Sequence, residues 1–248
     1  MIDVAIDAAQ QGGQLAVSYF KNTPKVLYKA DNTPVTIADK KTEKLIRKII
    51  SKKFPDHGII GEELENVNPK AQYQWVLDPI DGTSDFVRKL PYWSTFVALL
   101  YQNQPIIGVV YSPVCEELYC AQKGKGLYLN GKKIKLSKIS HLSQASLTHG
   151  SVNRFGQKGK LQGLATVAQK VQTRISLGSH NLNLLLKGDS DIQLEAAGSI
   201  WDFAAPSILV EEGGGRFSDF DGKKSLTSGT CMLTNGILHD EVLKLLNS

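Results

Sequence analysis

Little in this chain would tie it together covalently or anchor it. Its three cysteines, Cys115, Cys120 and Cys231, are an odd number with no C-x-x-C pair, which speaks against a disulfide framework or a thiolate zinc site. No apolar run approaches the length of a membrane-spanning helix. The opening MIDVAIDAAQQGG carries acids where a secretory leader carries lysines, and it lacks an apolar stretch, so a reducing cytoplasm is the expected location. Positive charge is in slight excess, 29 Lys and Arg against 24 Asp and Glu. The lysines are dispersed, and Lys132, Lys133 and Lys135 read as solvated charges around an Asn130-Gly131 turn. A nucleic-acid partner needs a concentrated basic stripe with aromatic platforms, so none is expected. Repeats and low-complexity linkers are absent too.

What is present is an ordinary globular balance, 42% hydrophobic and 21% charged over 248 residues. That length can bury a substantial core as one domain, residues 1–248. The Gly-rich stretch Lys123 to Gly126 marks a soft boundary between halves 1–125 and 126–248. Helical spacing appears over residues 3–20 and 39–53. Short apolar strands are expected at Ile59-Ile60, Trp75 to Leu77, Trp93 to Tyr101 and Ile106 to Tyr111, and a hairpin at Asn130-Gly131. In the second half, strands at 145–148, 174–177, 191–195, 216–218 and 232–234 alternate with helices, including 201–212 and 238–246. Gly213-Gly214-Gly215 suits the end of the first of these helices. Mixed helices and strands of this kind imply a layered α/β fold.

Several acids sit at the ends of these apolar strands. Glu62 and Glu63 follow Ile59-Ile60, Asp78 and Asp81 follow Trp75-Val76-Leu77, and Asp202 follows Ile200-Trp201. Partly desolvated carboxylates that repel one another need a compensating cation, and an all-oxygen set suits magnesium, manganese or calcium. In D-P-I-D-G-T, residues 78–83, Pro79 stiffens the turn and Gly82 allows close backbone approach to a ligand. A helix starting near Thr83 would add free N–H groups for an anion. Each piece also has a plain reading: a surface turn at Asp78 to Gly82, a solvated pair at Glu62-Glu63, a helix cap at Asp202, and a capping arrangement of Thr36 with Asp39. Their joint occurrence favours a magnesium phosphate site. None of the five histidines lies within these motifs, so a phosphohistidine mechanism has no support.

Four stretches, PVTIAD (34–39), GEE (61–63), WVLDPIDGTSDFV (75–87) and IWDFAAPSILVEEGGG (200–215), resemble the inositol monophosphatase family in order and spacing. The resemblance covers nearly the whole chain. It implies an αβαβα five-layer sandwich, hydrolysis of small phosphomonoesters, two or three Mg²⁺ ions per site (Mn²⁺ as an alternative), and a homodimer. Residue by residue, it implies that Glu62, Asp78 and the carbonyl of Ile80 hold one metal, and that Asp78, Asp81 and Asp202 hold a second. Thr83 would touch the first metal or its water, and Asp39 would hydrogen-bond Thr83. The N–H groups of Gly82 and Thr83 would receive phosphate oxygens. Glu63 is supportive only.

For the substrate, FVRKLPYWSTFVALL (86–100) and the C-terminal GGGRFSDFDGK resemble the histidinol-phosphatase branch of the family. Arg154, Arg174, Ser179 and Glu195 fall where the family places groups near the substrate. Two departures bear on specificity: Gly178-Ser179 where that branch usually has Gly-Asp, and Ser84-Asp85 after D-G-T. An acid at 85 is unfavourable so near a phosphate unless it points away or pairs with a base such as Arg88. Histidinol phosphate is placed ahead of inositol 1-phosphate, and a nucleotide-derived bisphosphate third. The competing readings are a non-catalytic metal-binding or regulatory protein on the same fold, and a basic RNA-associating module.

Overall fold

The computed structural model describes residues 1–22, 26–28 and 34–248, with backbone only at 26–28 and 34–35. The first part runs α1 (Ile2–Lys21), β1 (Val26–Tyr28), β2 (Pro34–Thr36), α2 (Ile37–Lys53), β3 (Gly58–Gly61), β4 (Tyr73–Asp81) and α3 (Thr83–Val87). A meander follows: β5 (Ser94–Tyr101), β6 (Gln104–Ser112), β7 (Glu117–Gln122), β8 (Gly126–Leu129) and β9 (Lys132–Ile134). The chain then alternates through β10 (Ser146–His149), α4 (Val152–Gln157), α5 (Leu161–Lys170), β11 (Thr173–Ile175), α6 (His180–Lys187) and β12 (Ile192–Glu195). It ends with α7 (Ile200–Glu212), β13 (Arg216–Ser218), β14 (Cys231–Thr234) and α8 (His239–Leu246).

Two sheets carry the fold. Strands β3 to β9 lie in sequence order in a seven-stranded sheet, with β3 parallel to β4 and every later pair antiparallel. The second sheet has the order β11-β10-β12-β14-β13. Gly126 opens β8 inside the first sheet, so the passage between sheets comes after Ile134. The expected hairpin is there: Asn130 and Gly131 both have positive φ, 47° and 77°, as a tight two-residue connection requires.

Three apolar clusters separate five layers. Ala5, Ala8, Ile46 and Ile50 of α1 and α2 pack on Trp75, Leu77, Val97 and Val109 of the first sheet. On its other face, Val76, Phe96 and Val110 meet Leu185 of α6 and Phe203, Leu209 and Val210 of α7, which also touch Phe217 and Leu233 of the second sheet. Beyond that sheet, Leu147, Ile192 and Met232 pack against Phe155, Val167 and Val242 of α4, α5 and α8. The order is therefore α, β, α, β, α. Strand residues pointing to opposite faces at period two explain how Trp75 and Val76 serve different layers. Helix α7 is sandwiched between the sheets, so its residues from Phe203 to Val210 are all buried and it lacks a one-sided apolar stripe.

One expectation needs correction. The strand does not stop at Leu77: β4 continues to Asp81, with its pairing to β5 shifted between Asp78 and Asp81. Both aspartates thus sit on an irregular strand end, not in a turn beyond it. The irregularity accommodates Pro79, which has no N–H to give to a ladder.

Candidate active site

Helix α2 begins the site. The Thr36 side chain caps it, accepting a hydrogen bond from the Ala38 N–H at 3.1 Å. Asp39 Oδ2 accepts from both the N–H and the hydroxyl of Thr36, at 2.7 Å each. This is a reciprocal capping box, and it fixes the carboxylate rotamer. The other oxygen, Oδ1, faces Thr83, whose Oγ1 lies 3.3 Å away and 3.1 Å from the carbonyl of Ile80. The capping reading and the Thr83 reading of Asp39 are therefore both true, one oxygen each. Burial pushes the Asp39 carboxyl up from its ordinary range, while the bonds from Thr36 oppose that rise.

The G-E-E segment is held by two residues that were not singled out from the sequence. Glu43 of α2 is fully buried and accepts the Glu63 N–H at 2.8 Å and the Arg47 Nε–H at 2.7 Å. The Arg47 guanidinium also donates to the carbonyls of Leu64 and Glu65, at 2.9 Å each. On the near side of Glu62, its own N–H donates to Leu77 O at 3.2 Å. Glu62 is thus bracketed by backbone bonds on both sides.

At the end of β4, Asp78 Oδ1 accepts the Ile80 N–H at 3.0 Å, and the Thr95 hydroxyl donates to Pro79 O at 2.9 Å. Gly82 then takes φ +87°, and α3 begins at Thr83 as expected. Asp202 reaches the same place from the first turn of α7, where its Oδ2 accepts the Ser199 N–H at 2.5 Å. One carboxylate oxygen from each of Asp78, Asp81 and Asp202 lies within 4.8 Å of the others. Glu62 lines the same cleft and lies beside Asp78. Burial, then the negative charge of the neighbouring acids, raises the carboxyls of Asp78, Asp81 and Asp202. Among the described residues, none of these three is in an ion pair.

A connected cavity of about 360 Å³ opens beside them, between β12, α6 and the β11–α6 loop. Glu195 lines it, and Gln193 donates to its Oε1 at 3.2 Å. Burial, reinforced by Asp81, pushes the Glu195 carboxyl up to about 7, against the opposing effect of Gln193 and Asn181. Ser179 lines the cavity as well; its hydroxyl is buried without a standard hydrogen-bond partner and favours the ionised form of Asp81. Arg154 lines the metal-side cleft from α4. Arg174 does neither. Its guanidinium turns back to the carbonyls of Ala168 and Val171, at 2.5 and 2.6 Å, because the last carbonyls of α5 have no intrahelical donor. Asp85 neither points away nor forms an ion pair with Arg88; it lines the cleft.

Sequence reasoning missed Glu43, Arg47 and Asn181. The first two read as an exposed i, i+4 pair in a lysine-rich helix, and nothing local marks them as buried.

The chain and its fold have known relatives. A family model described as the inositol monophosphatase family matches residues 1–248. A histidinol-phosphatase of Mycobacterium tuberculosis is 35% identical over 228 residues, covering 89% of this chain and 87% of the relative. Inositol monophosphatase 3 of Solanum lycopersicum is 35% identical over 260 residues, covering 99% and 96%. Among solved structures, the Thermotoga maritima IMPase superposes with a TM-score of 0.90 at 31% identity, covering 99% of this chain and 96% of that one. No helix among the described residues is long and apolar enough to cross a membrane. With the family's metal-dependent chemistry matched by an acidic cluster at the cleft, the chain belongs to the inositol monophosphatase family and is a phosphoric monoester hydrolase of small phosphate esters.

Proposed function

We propose that this phosphatase is magnesium-dependent and cytoplasmic, acts as a homodimer, and hydrolyses histidinol phosphate in preference to inositol 1-phosphate. The observation that carries the chemistry is the convergence of Asp78, Asp81 and Asp202 beside the Asp39–Thr83 pair. The donor set fits a hard cation: every candidate ligand is an oxygen, and the mutual repulsion of the acids is relieved only by positive charge. Glu62, Asp78 and the Ile80 carbonyl would hold one ion; Asp78, Asp81 and Asp202 would hold another, with Asp78 shared. Bound divalent cations supply Lewis acidity, a lowered pKa for water and neutralisation of phosphate charge.

The chain's own residues do the rest. Thr83 has one hydrogen to donate and two acceptors near it, Asp39 Oδ1 and Ile80 O. While it donates to Asp39, its lone pairs can accept a hydrogen bond from the attacking water and orient it. Asp39, held up in pKa by burial, is suited to take the proton that leaves through Thr83. The amide groups of Gly82 and Thr83, at the open start of a helix, receive phosphate oxygens. Water oxygen bonds to phosphorus as the ester P–O bond breaks in line, with no covalent enzyme intermediate. A binding protein would have no use for the Thr83 hydroxyl poised on a buried carboxylate.

Glu195 supports histidinol phosphate, since an acid lining the cavity beside the metal-side cleft suits a cationic group. Ser179, a neutral group, supports the inositol reading. The test is magnesium-titrated phosphate release from histidinol phosphate, inositol 1-phosphate and a bisphosphonucleotide, with sedimentation to assess the dimer. Silence across the panel from a folded protein would favour the non-catalytic reading.

A further inference from the structure

We infer that Asp85 is a specificity-determining residue, one that selects phosphate esters carrying an ammonium group close to the phosphate. The inference rests on the phosphatase reading above and concerns which alcohol leaves. Asp85 lies on the short helix α3, two residues past Thr83. Its carboxylate lies so close to Gly178, on the loop between β11 and α6, that a side chain at 178 would collide with it. It lines the same cleft as Asp81, Gly82, Thr83 and Arg154. Among the described residues the carboxylate makes no hydrogen bond and no ion pair; Arg88 acts on it only through its field.

An unpaired acid so near a phosphate site repels every substrate's phosphate to the same degree. Beyond the field of Arg88, it is compensated at close range when the substrate brings its own positive charge to that spot. Glu195 lies on the other side, in the cavity that shares Asp81, Gly178 and Asp202 with the cleft. A polyol phosphate can offer Asp85 hydroxyls alone, leaving its charge unopposed. A phosphate ester with an ammonium on the carbon next to the ester-bearing carbon offers Asp85 a charge-assisted hydrogen bond, the stronger kind.

The test uses an isosteric pair, 2-aminopropyl phosphate and 2-hydroxypropyl phosphate, with saturating magnesium. The readout is the ratio of their kcat/KM values. The native chain should favour the amine about tenfold or more, the scale of one charged hydrogen bond. Asp85→Asn should reduce that ratio about tenfold, and rising NaCl should erode it in the native protein. Asp85→Ser, also uncharged, should lower the ratio in the same direction, and thermal unfolding of both variants guards against a folding defect. A native ratio at or below one, or Asp85→Asn slowing both substrates equally, overturns the inference while the phosphatase reading stands. Absence of magnesium-dependent hydrolysis of either probe and of the wider panel would instead remove the reading it rests on.

Discussion

The wall of the cleft built by β3, β4 and α2 and the wall built by the β11–α6 loop and β12 carry the same kinds of group, carboxylates and hydroxyls, yet hold them differently. On the first wall most of the site is fixed through backbone bonds, Asp81 excepted. Glu62 is bracketed by bonds to Leu77 and, through Glu63, to Glu43; Asp39 spends one oxygen on Thr36; Asp78 accepts from Ile80. On the second, no backbone bond holds the Ser179 hydroxyl or the Glu195 carboxylate; Glu195 has only side-chain partners, Gln193 at 3.2 Å and Asn181. Preorganised donors and acceptors are what phosphoryl transfer needs. Looser groups can be exchanged without disturbing the chemistry, and that is where a family with one reaction can vary its alcohol.

The sharpest way to break the comparison is to remove one group of the rigid wall. Asp81→Asn should lower magnesium-dependent turnover on the order of 10³-fold, since charge stabilisation by a bound cation is worth several kcal/mol. Steady-state phosphate release measures it. Near-native activity in that variant would sink the assignment of Asp81.

A second test contrasts the walls through pH. The Glu195 carboxyl is raised from its ordinary 4.5 to about 7 in the folded chain. A raised acid binds its proton more tightly when folded, so its contribution favours the fold at low pH and is lost as pH climbs through 4.5 to 7. In metal-free protein, Glu195→Gln should therefore be more stable than the native chain at pH 8, by roughly 2–3 kcal/mol. The two should converge near pH 4. Thermal unfolding at both pH values decides; a constant difference would mean Glu195 is not held in its neutral form.

The brace behind Glu62 gives a smaller effect. Glu43→Gln keeps the shape but loses the charge that holds Arg47 and the Glu63 amide. It should raise the magnesium concentration needed for half-maximal rate about 10–100-fold, the usual consequence of disturbing a ligand's support. A lower maximal rate with unchanged magnesium dependence would show Glu43 to be merely structural.

These outcomes also bear on what a sequence can reveal. D-P-I-D-G-T and W-D were legible because their chemistry is local: the turn residues, strand end and helix start lie within six residues of the acids they aim. The α2 cap at Thr36 and Asp39 was legible for the same reason. The extent of β4 was not, because Pro79 reads as a strand stop and only pairing with β5 shows the irregularity that tolerates it. Glu43 was invisible because its burial comes from the 61–65 segment folding back over α2, a contact some 20 residues away. The role of Asp85 depended on Gly178, 93 positions later in the numbering, leaving it room.

Arg174 supplies the smallest expected effect and the clearest lesson of this kind. The family resemblance places it near the substrate groups. Its strand, β11, is at the edge of the second sheet, so no neighbour on its outer side fixes where a long side chain goes. The chain's own carbonyls at Ala168 and Val171 claim the guanidinium, leaving it out of the cavity lining. Arg174→Gln should thus change kcat/KM for histidinol phosphate by less than about threefold while lowering stability by roughly 1 kcal/mol, the worth of lost bonds at a half-exposed site. A tenfold rise in KM with unchanged stability would put the arginine back at the substrate, on the adjustable wall where such a shift is easiest to make.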